Sequence, residues 1–334
     1  MRSRTTGIGV FALMVGGALA TVTGVPLAQG GSVAALFQDD QKRDLSLSFS
    51  FSNVELPATS TASAPLQVYL TVGDLERAFD RSEFRPDATI IPTNTELQIT
   101  ATDPATQRVL ISRVQKQPEA MRDLESQVAK RREQPGPRTD GETGLLRIGI
   151  DTFVAQLTPG TGPGQSTYPK SACFVATDFA KGGAIDQRAL FLQDRMRQGI
   201  AACLDAMDAA GARSLVLPLL GAASSTTQTN DVMYEGQRAL KECRLLNSTA
   251  GIALGIHDFA ARRTNLREIG VVQWDKEITG MFKVPPGSRA EKSAQTAYRA
   301  YAKQVRGVFQ KALTGQKITA VDLQGNCGPI LGGM

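Results

Sequence analysis

The chain has 334 residues, of which 42% are hydrophobic and 21% are charged. This composition is ordinary for a globular protein, so it excludes a wholly disordered chain, a collagen-like rod and a membrane protein with many spans. With 37 Lys and Arg against 32 Asp and Glu, the net charge is +5. Such a surplus, small and spread along the chain, argues against a DNA-packaging protein, and we expect no nucleic-acid partner.

The pattern of residues at the amino terminus predicts a targeting signal. Arg2 and Arg4 precede an uncharged run of 22 residues, 7–28, which is long enough to cross a hydrocarbon layer of ~30 Å as a helix. A cleaved signal peptide and an uncleaved membrane anchor both fit this run. Because the positive charges come first, we expect the body of the protein on the outer side of the membrane, either exported or anchored.

The rest of the chain alternates between strand and helix patterns. Strands are predicted where apolar residues alternate or run continuously: residues 45–56, 66–72, 88–92, 97–101, 108–114, 145–157, 172–176, 214–220, 252–256, 269–274 (at an edge) and 318–323. Helices are predicted where the apolar spacing is helical: residues 74–79, 118–132, 185–210, 230–246 and 290–313.

This alternation predicts an α/β protein, a three-layer α/β/α sandwich around a mixed, largely parallel sheet. The predicted divisions are the hydrophobic leader at 1–28, a strand and small-residue linker at 29–65, an α/β domain at 66–262 and a C-terminal extension with a long helix and flexible tail at 263–334. Ligands of such sheets bind at the carboxyl ends of the strands.

Cysteine and histidine limit the chemistry. None of the four cysteines (Cys173, Cys203, Cys243 and Cys327) lies within four residues of another, and the chain has one histidine, so we expect no metal site and no cofactor. The cysteines are buried thiols in a reducing compartment or two disulfides in an oxidising one, with a bond between Cys203 and Cys243 as one pairing. Cys327 is the candidate for an exposed or intermolecular thiol. The histidine, His257, is predicted to end a strand near the ligand edge, where packing is the commoner role and general-base catalysis the alternative.

Three segments end predicted strands with polar or small residues. Asp74 follows Gly73 at the first strand-to-helix turn, where it caps the helix or binds a ligand amino group. Asn94 ends the strand of residues 88–92, where it makes a turn or reads a sugar hydroxyl. The small-residue segment 221–227 joins a strand to a helix, either as a plain connection or as a loop whose backbone N–H groups bind phosphate.

In this order, TVGDLERAF, DATIIPTNTEL and GARSLVLPLLGAAS, the segments resemble the motifs of the macro domain, the ADP-ribose-binding module. The resemblance covers about residues 66–260. It implies that Asp74, with Leu75 beside it, contacts the adenine and that Asn94 lies near the distal ribose. The diphosphate would then be bound by the following loop: Gly221, Ala222, Ala223, Ser224 and Ser225. Phe259, placed just after the predicted strand of residues 252–256, would stack on the adenine.

The family's glycine-rich loop, which supports hydrolysis in its active branches, has no counterpart after Asn94. We therefore expect binding rather than catalysis: an exported or membrane-tethered module that acts as a sensor and whose partner is ADP-ribose or a related nucleotide derivative. A hydrolase of ADP-ribosyl or phosphoester bonds is one alternative. An exported interaction protein with a degenerate pocket is the other, and its protein partner is not indicated by the sequence.

Overall fold

The computed structural model describes residues 52–62, 64–73, 75, 79, 86–100, 105–134, 145–147, 149–158, 168–178, 189–220, 235–274, 287, 289–319 and 321–323. The leader at residues 7–28, Asp74, the loop at 221–225 and Cys327 lie outside these ranges. Among the described residues, no helix combines the length and the apolar character needed to span a bilayer.

The sequence predicts a mixed sheet as the middle layer, and the structure has one with seven strands. Its strands in chain order are β1 (Ser52–Leu56), β2 (Leu66–Gly73), β3 (Ala88–Asn94), β4 (Thr152–Gln156), β5 (Ser171–Asp178), β6 (Ser214–Pro218) and β7 (Glu268–Trp274). Across the sheet they follow the order β1-β2-β7-β6-β3-β5-β4. The five central strands are parallel, while β1 and β4 run antiparallel at the two edges.

Five helices of the described residues cover the sheet: α1 (Ala105–Val114), α2 (Pro118–Glu133), α3 (Ala189–Ala209), α4 (Glu235–Ala260) and α5 (Glu291–Leu313). Two hydrophobic cores lie on opposite faces of the sheet. The first contains residues of α3, α4 and α5, and the second contains residues of α1 and α2. The central strands are apolar on both faces because both faces are covered. The predicted α/β/α class is confirmed.

Two strand predictions at the C-terminal side are wrong. Residues 252–256 belong to α4, a 26-residue helix. The strand of residues 269–274, predicted at an edge, is β7 and lies between β2 and β6. Because β7 is central to the sheet, the α/β fold does not end at residue 262 as the predicted domain division has it.

Three further strand predictions differ from the structure. Residues 108–114, predicted as a strand, lie in α1, where Gln107, Leu110, Ile111 and Val114 form one buried face with helical spacing. Residues 97–100 and 318–323 contain no strand among their described positions. The short linker of residues 57–65 is not a free connection, because Arg263 donates hydrogen bonds to the carbonyl oxygens of Pro57 and Ala64.

The cysteines pair differently from the bond considered between α3 and α4. Cys203 of α3 is bonded to Cys173 of β5, and both side chains are fully buried. This bond ties α3 to the strand beneath it. Cys243 of α4 is also disulfide-bonded. No cysteine is free among the described residues.

Two carboxylates, Asp208 and Asp87, join neighbouring strands at the amino edge of the parallel strands. Asp208, at the end of α3, accepts hydrogen bonds from the backbone N–H groups of Thr264, Asn265 and Leu266, which lead into β7. Asp87 accepts from the backbone N–H groups ahead of β6 at 2.9 Å and 3.3 Å. These carboxylates fix the starts of neighbouring strands relative to one another.

Candidate ligand site

The carboxyl ends of the five parallel strands meet at one edge of the sheet. The strands end at Gly73, Trp274, Pro218, Asn94 and Asp178, in the order β2, β7, β6, β3, β5. All three segments that the sequence singled out follow strands that end here. The structure therefore brings the predicted segments to one edge, which is the edge where open α/β sheets bind ligands.

The sheet opens between β3 and β6 as it approaches this edge. The two strands pair at Ala88 with Leu215 and at Thr89 with Val216, and the ladder goes no further. Pro92 of β3 lies beyond the last pair, and a proline has no N–H to contribute to a ladder. Past Thr89 the pairing of the two strands stops. Open α/β sheets bind ligands outside the carboxyl ends of strands at such a place, and we call this position the crevice.

The connections that leave these two strands run in opposite directions. The chain leaves β3 through α1 and α2 toward β4, on one face of the sheet, and leaves β6 through α4 toward β7, on the other face. Such a reversal is a topological switch point, and the divergence of the two loops leaves room for a ligand between them. The crevice and the switch point coincide.

The start of the phosphate-loop segment is held in place from two sides. The backbone N–H of Leu219 donates to the carbonyl oxygen of Val272 in β7 at 3.0 Å. The hydroxyl of Ser248 in α4 donates to the carbonyl oxygen of Leu220. Leu219 and Leu220 are buried. The chain is therefore held in place up to Leu220, the last described residue before the segment 221–225.

Asn94 lies at the end of β3, but its side chain makes a local turn. Its Oδ1 accepts hydrogen bonds from the backbone N–H groups of Glu96 at 3.1 Å and Gln98 at 3.0 Å. Its Nδ2 donates to Oε1 of Gln98 at 2.7 Å. Of the two roles that the sequence left open, the turn is the one seen here, and a ligand would have to compete with Gln98 for the amide.

An acidic residue that the sequence analysis missed ends the strand next to β3. Asp178 is the last residue of β5 and is the register partner of Asn94 across a β-bulge between Thr93 and Asn94. Bulges are over-represented next to active sites. The signal was present in the sequence as a polar residue after an apolar strand, the same signal that singled out Asn94.

Leu75 lies just past the end of β2 and is 4% exposed. Its side chain packs in the core beneath α1 and α2 together with Phe79. This packing seats the turn that carries Asp74, although Asp74 itself is outside the described residues. A contact from Leu75 to a ligand would have to use its backbone.

Phe259 does not lie at this edge, and the adenine-stacking role predicted for it is wrong. It belongs to the last turn of α4, which begins after β6 at the carboxyl edge and ends just before the turn into β7 at the amino edge. Phe259 is 1% exposed and packs in the core between the helices and the sheet. The prediction failed because the predicted helix ended at residue 246, whereas α4 continues to Ala260.

His257 lies at the same distant end of α4. Its ring packs against Gly315, where an added Cβ would be 2.7 Å from Nε2. Nδ1 lies 3.6 Å from Oδ1 of Asp258, whose carboxylate is bound by the guanidinium of Arg197 at 2.5 Å and 3.0 Å. That hydrogen-bonded guanidinium holds the pKa of Asp258 below its ordinary value. This arrangement is structural and far from the crevice, so it provides no general base there.

The aromatic residue at the carboxyl edge is Trp274. It is the last residue of β7, in register with Gly73 of β2. It is also the only tryptophan of the chain. Sequence reasoning missed it because β7 was predicted at an edge of the sheet rather than beside β2.

Among the described residues, no group of three or more His, Cys, Asp or Glu side chains is placed to hold a metal ion. The described part of the site offers backbone groups, an amide, a carboxylate position and an aromatic position. These are groups that bind hydroxyls, phosphates and planar rings of an organic ligand.

Fold and crevice together define an α/β/α sandwich with a candidate ligand site at a switch point. No protein-family model and no curated protein matches the sequence. Among solved structures, the chain is similar to a macrodomain variant from Oceanobacillus iheyensis, at 10% identity and a TM-score of 0.41, over 80% of this chain and 94% of that one.

The chain is also similar to DarTG from Thermosipho africanus in complex with ADP-ribose, at 10% identity and a TM-score of 0.37, over 67% of this chain and 44% of that one. A third similar structure is a variant of tomato leucine aminopeptidase, at 11% identity and a TM-score of 0.32, over 76% of this chain and 39% of that one. At these values the likeness assigns neither a family nor a function.

Proposed function

We propose that this chain is a divergent macro-type domain that binds ADP-ribose, or a nucleotide derivative of the same chemistry, in the crevice between β3 and β6. One observation carries the proposal: the pairing of β3 with β6 stops at Thr89, on the side of the sheet where the strands that precede the three motif segments end. A crevice at a switch point is the general ligand position of open α/β sheets. The order of the three sequence motifs, which resembles that of the macro domain, favours ADP-ribose and related nucleotides as the class of ligand.

The proposed roles follow from position around the crevice. Asp74, after β2, binds the adenine amino group, and Trp274, in the adjacent strand, offers a ring surface for the base. The backbone N–H groups of residues 221–225, after β6, bind the diphosphate. Asn94 and Asp178, after β3 and β5, are placed for the distal ribose hydroxyls.

We also propose that the protein is exported or anchored by residues 7–28. The bond between Cys173 and Cys203 supports this location, because disulfides persist in oxidising compartments and are rare in the cytosol. Bound ligand would then be sensed outside the cytoplasm. A hydrolase remains the second candidate, but His257 cannot serve it at this crevice because the residue lies at the opposite edge.

The test is a titration of the full chain with ADP-ribose, followed by the fluorescence of Trp274 and by calorimetry. We expect a micromolar Kd, a change in tryptophan emission, and a loss of at least tenfold in affinity for Asp74→Ala, equivalent to about 1.4 kcal/mol. His257→Ala is the matched control, because that residue lies at the amino edge, and it should bind like the wild type.

Three outcomes would contradict parts of the proposal. Absence of heat and of an emission change at millimolar ligand, from folded protein, would leave an interaction protein with a degenerate pocket. Equal weakening by His257→Ala would move the site away from the crevice. Consumption of an ADP-ribosylated substrate, abolished by Asp178→Asn, would replace binding by hydrolysis.

A further inference from the structure

The net positive charge of the protein is concentrated in one segment, and not spread along the chain as the composition suggested. Residues 289–317 contain seven Lys and Arg and one Glu, a net charge of +6, whereas the whole chain carries +5. The remainder of the chain is therefore close to neutral. The segment consists of α5 and its two flanks, which play no part in the proposed ligand site.

Within α5 the basic side chains lie in one line. Lys292, Arg299, Lys303 and Arg306 follow one another at intervals of seven, four and three residues. At 3.6 residues per turn these intervals return to the same face of a helix. We call these four residues the basic stripe; it is about 21 Å long at 1.5 Å per residue.

The opposite face of α5 is the one that packs on the protein. Tyr301, Val305, Val308, Phe309 and Ala312 are buried in the core that α5 shares with α4. Lys292, Arg299 and Lys303 are exposed, and Arg306 is half-buried. The basic stripe therefore faces away from the body of the protein along most of the helix.

Three of the four charges of the stripe form no ion pair among the described residues. These are Lys292, Arg299 and Lys303, whereas Lys311 on the flank of the helix is paired with Asp322 at 2.7 Å. Removal of the three charges should therefore cost little stability. Unpaired charges of one sign arranged in a line mark a surface that attracts an anionic partner.

An exposed apolar residue is held on the flank of α5, next to the face that carries the stripe. Val321 is 85% exposed and is the one exposed large hydrophobic side chain among the described residues. It is held next to α5 because its neighbour Asp322 accepts hydrogen bonds from Lys311 and from Thr319, and its carbonyl oxygen accepts one from Gln304. An apolar tip beside a row of cations is the combination found where proteins rest on anionic bilayers.

We propose that the basic stripe and Val321 form a surface that docks on an anionic lipid bilayer. The headgroup phosphates are the partner of the cations, and Val321 enters the boundary between headgroups and acyl chains. The membrane is favoured over nucleic acid by Val321, which a phosphate backbone would leave exposed, and by the predicted anchor at residues 7–28, which would keep a bilayer within reach.

Lysine footprinting of the full chain bound to vesicles tests this surface independently of the anchor. The protein is incubated with vesicles of phosphatidylglycerol and phosphatidylcholine, or of phosphatidylcholine alone, and its lysines are acylated and quantified by mass spectrometry. We expect labelling of Lys292 and Lys303 to fall at least threefold on the anionic vesicles only. Lys130, which is exposed on the other helical layer, and Lys170, at the amino edge, are the internal controls and should label equally on both.

High salt should restore the labelling, because it screens exposed charges. A variant with Lys292, Arg299 and Lys303 changed to Gln should lose the charge-dependent part of vesicle binding, and Val321→Asp should weaken it. The matched control has Arg108, Arg122 and Lys130 changed to Gln. These three residues are exposed, and the three substitutions remove the same amount of positive charge as those in the stripe.

Equal labelling of Lys292 and Lys303 on both kinds of vesicle would overturn the proposal, as would an equal loss of binding in the control variant. Protection of the two lysines by duplex DNA and not by vesicles would also overturn it and assign the surface to nucleic acid. None of these results depends on whether ADP-ribose binds at the crevice.

Discussion

Gly251 of α4 lies against the backbone of Gln193 in α3, so closely that a Cβ added to it would be 2.5 Å from the carbonyl oxygen of Gln193. One turn further along α4, a Cβ on Gly255 would be 2.8 Å from the carbonyl oxygen of Arg197. The two helices therefore touch backbone to backbone, and the absence of two side chains sets their separation.

Gly251→Ala should destabilise the protein by about 1–3 kcal/mol, because the methyl group overpacks the contact with α3. The control is Gly307→Ala in α5, where an added Cβ meets nothing within 4 Å. There the same change should stabilise the protein by about 0.5–1 kcal/mol, since alanine is the better helix former. Urea unfolding gives the change in unfolding free energy for both variants. A gain in stability for Gly251→Ala would refute the close contact between α4 and α3.

The bond between Cys173 and Cys203 closes a loop with a sequence separation of 30. Loss of this crosslink in Cys173→Ala/Cys203→Ala should lower the free energy of unfolding by about 3–4 kcal/mol, mainly by releasing the unfolded chain. Denaturant titration measures the difference. A reducing agent should lower the stability of the wild type more than that of the double variant; equal effects on both would mean that this bond does not form.

Asp208 is 5% exposed and makes the stability of the amino edge dependent on pH. Burial alone would raise the pKa of Asp208, but hydrogen bonds from the Thr264 hydroxyl and from the backbone N–H groups of residues 264–266 hold it below its ordinary value of 3.8. Because the folded-state pKa is depressed, the stabilisation is complete above pH 3.8 and is lost as the pH falls through the folded-state pKa.

Asp208→Asn should therefore cost about 3 kcal/mol near neutral pH, since three backbone donors lose a charged acceptor. The gap to the wild type should narrow steadily below pH 3.8. Thr264→Val, which removes only the hydroxyl donor, should cost about 1 kcal/mol. Free energies of unfolding measured between pH 7 and pH 2 test both variants. If the difference in stability between wild type and Asp208→Asn did not change with pH, the Asp208 carboxylate could not be the source of the pH dependence.

Two adjacent arginines differ sharply in their surroundings. Arg263 is fully buried and donates to the carbonyl oxygens of Ala260, Pro57 and Ala64. Arg262 is exposed and pairs with Asp205. Arg263→Met should cost at least about 2 kcal/mol, because three carbonyl groups lose hydrogen bonds to a charged, buried donor. It should also make residues 57–64 susceptible to proteolysis. Arg262→Met should cost less than about 1 kcal/mol, because its ion pair is exposed. Equal destabilisation by the two substitutions would contradict the role of Arg263 in holding residues 57–64.

The sequence was sufficient to predict the three layers of the fold and the edge of the sheet at which the site is proposed. Apolar strands bounded by small and polar residues, as at residues 66–72 and 214–220, can be recognised locally because each strand is buried on both faces. The positions of Asn94 and of the loop at residues 221–225 followed from where those strands end.

The errors share a physical cause. In α4 the run IALGI is buried between α3, α5 and the sheet, so it is apolar around most of its circumference and has lost the helical period. In α1, Val109 and Ile111 favour a strand by intrinsic preference, and packing overrode it. The central place of β7, and with it the role of Trp274, depends on pairing between residues some 200 positions apart, for which no local pattern exists.

The direction of β1 fixes where the described chain begins. Because β1 runs antiparallel to β2 and Ser52 is the register partner of Leu70, the chain enters the sheet from the side on which the parallel strands end. The first described strand therefore starts at the same edge of the sheet as the proposed ligand site, and its other end, at Leu56, lies with the starts of the parallel strands.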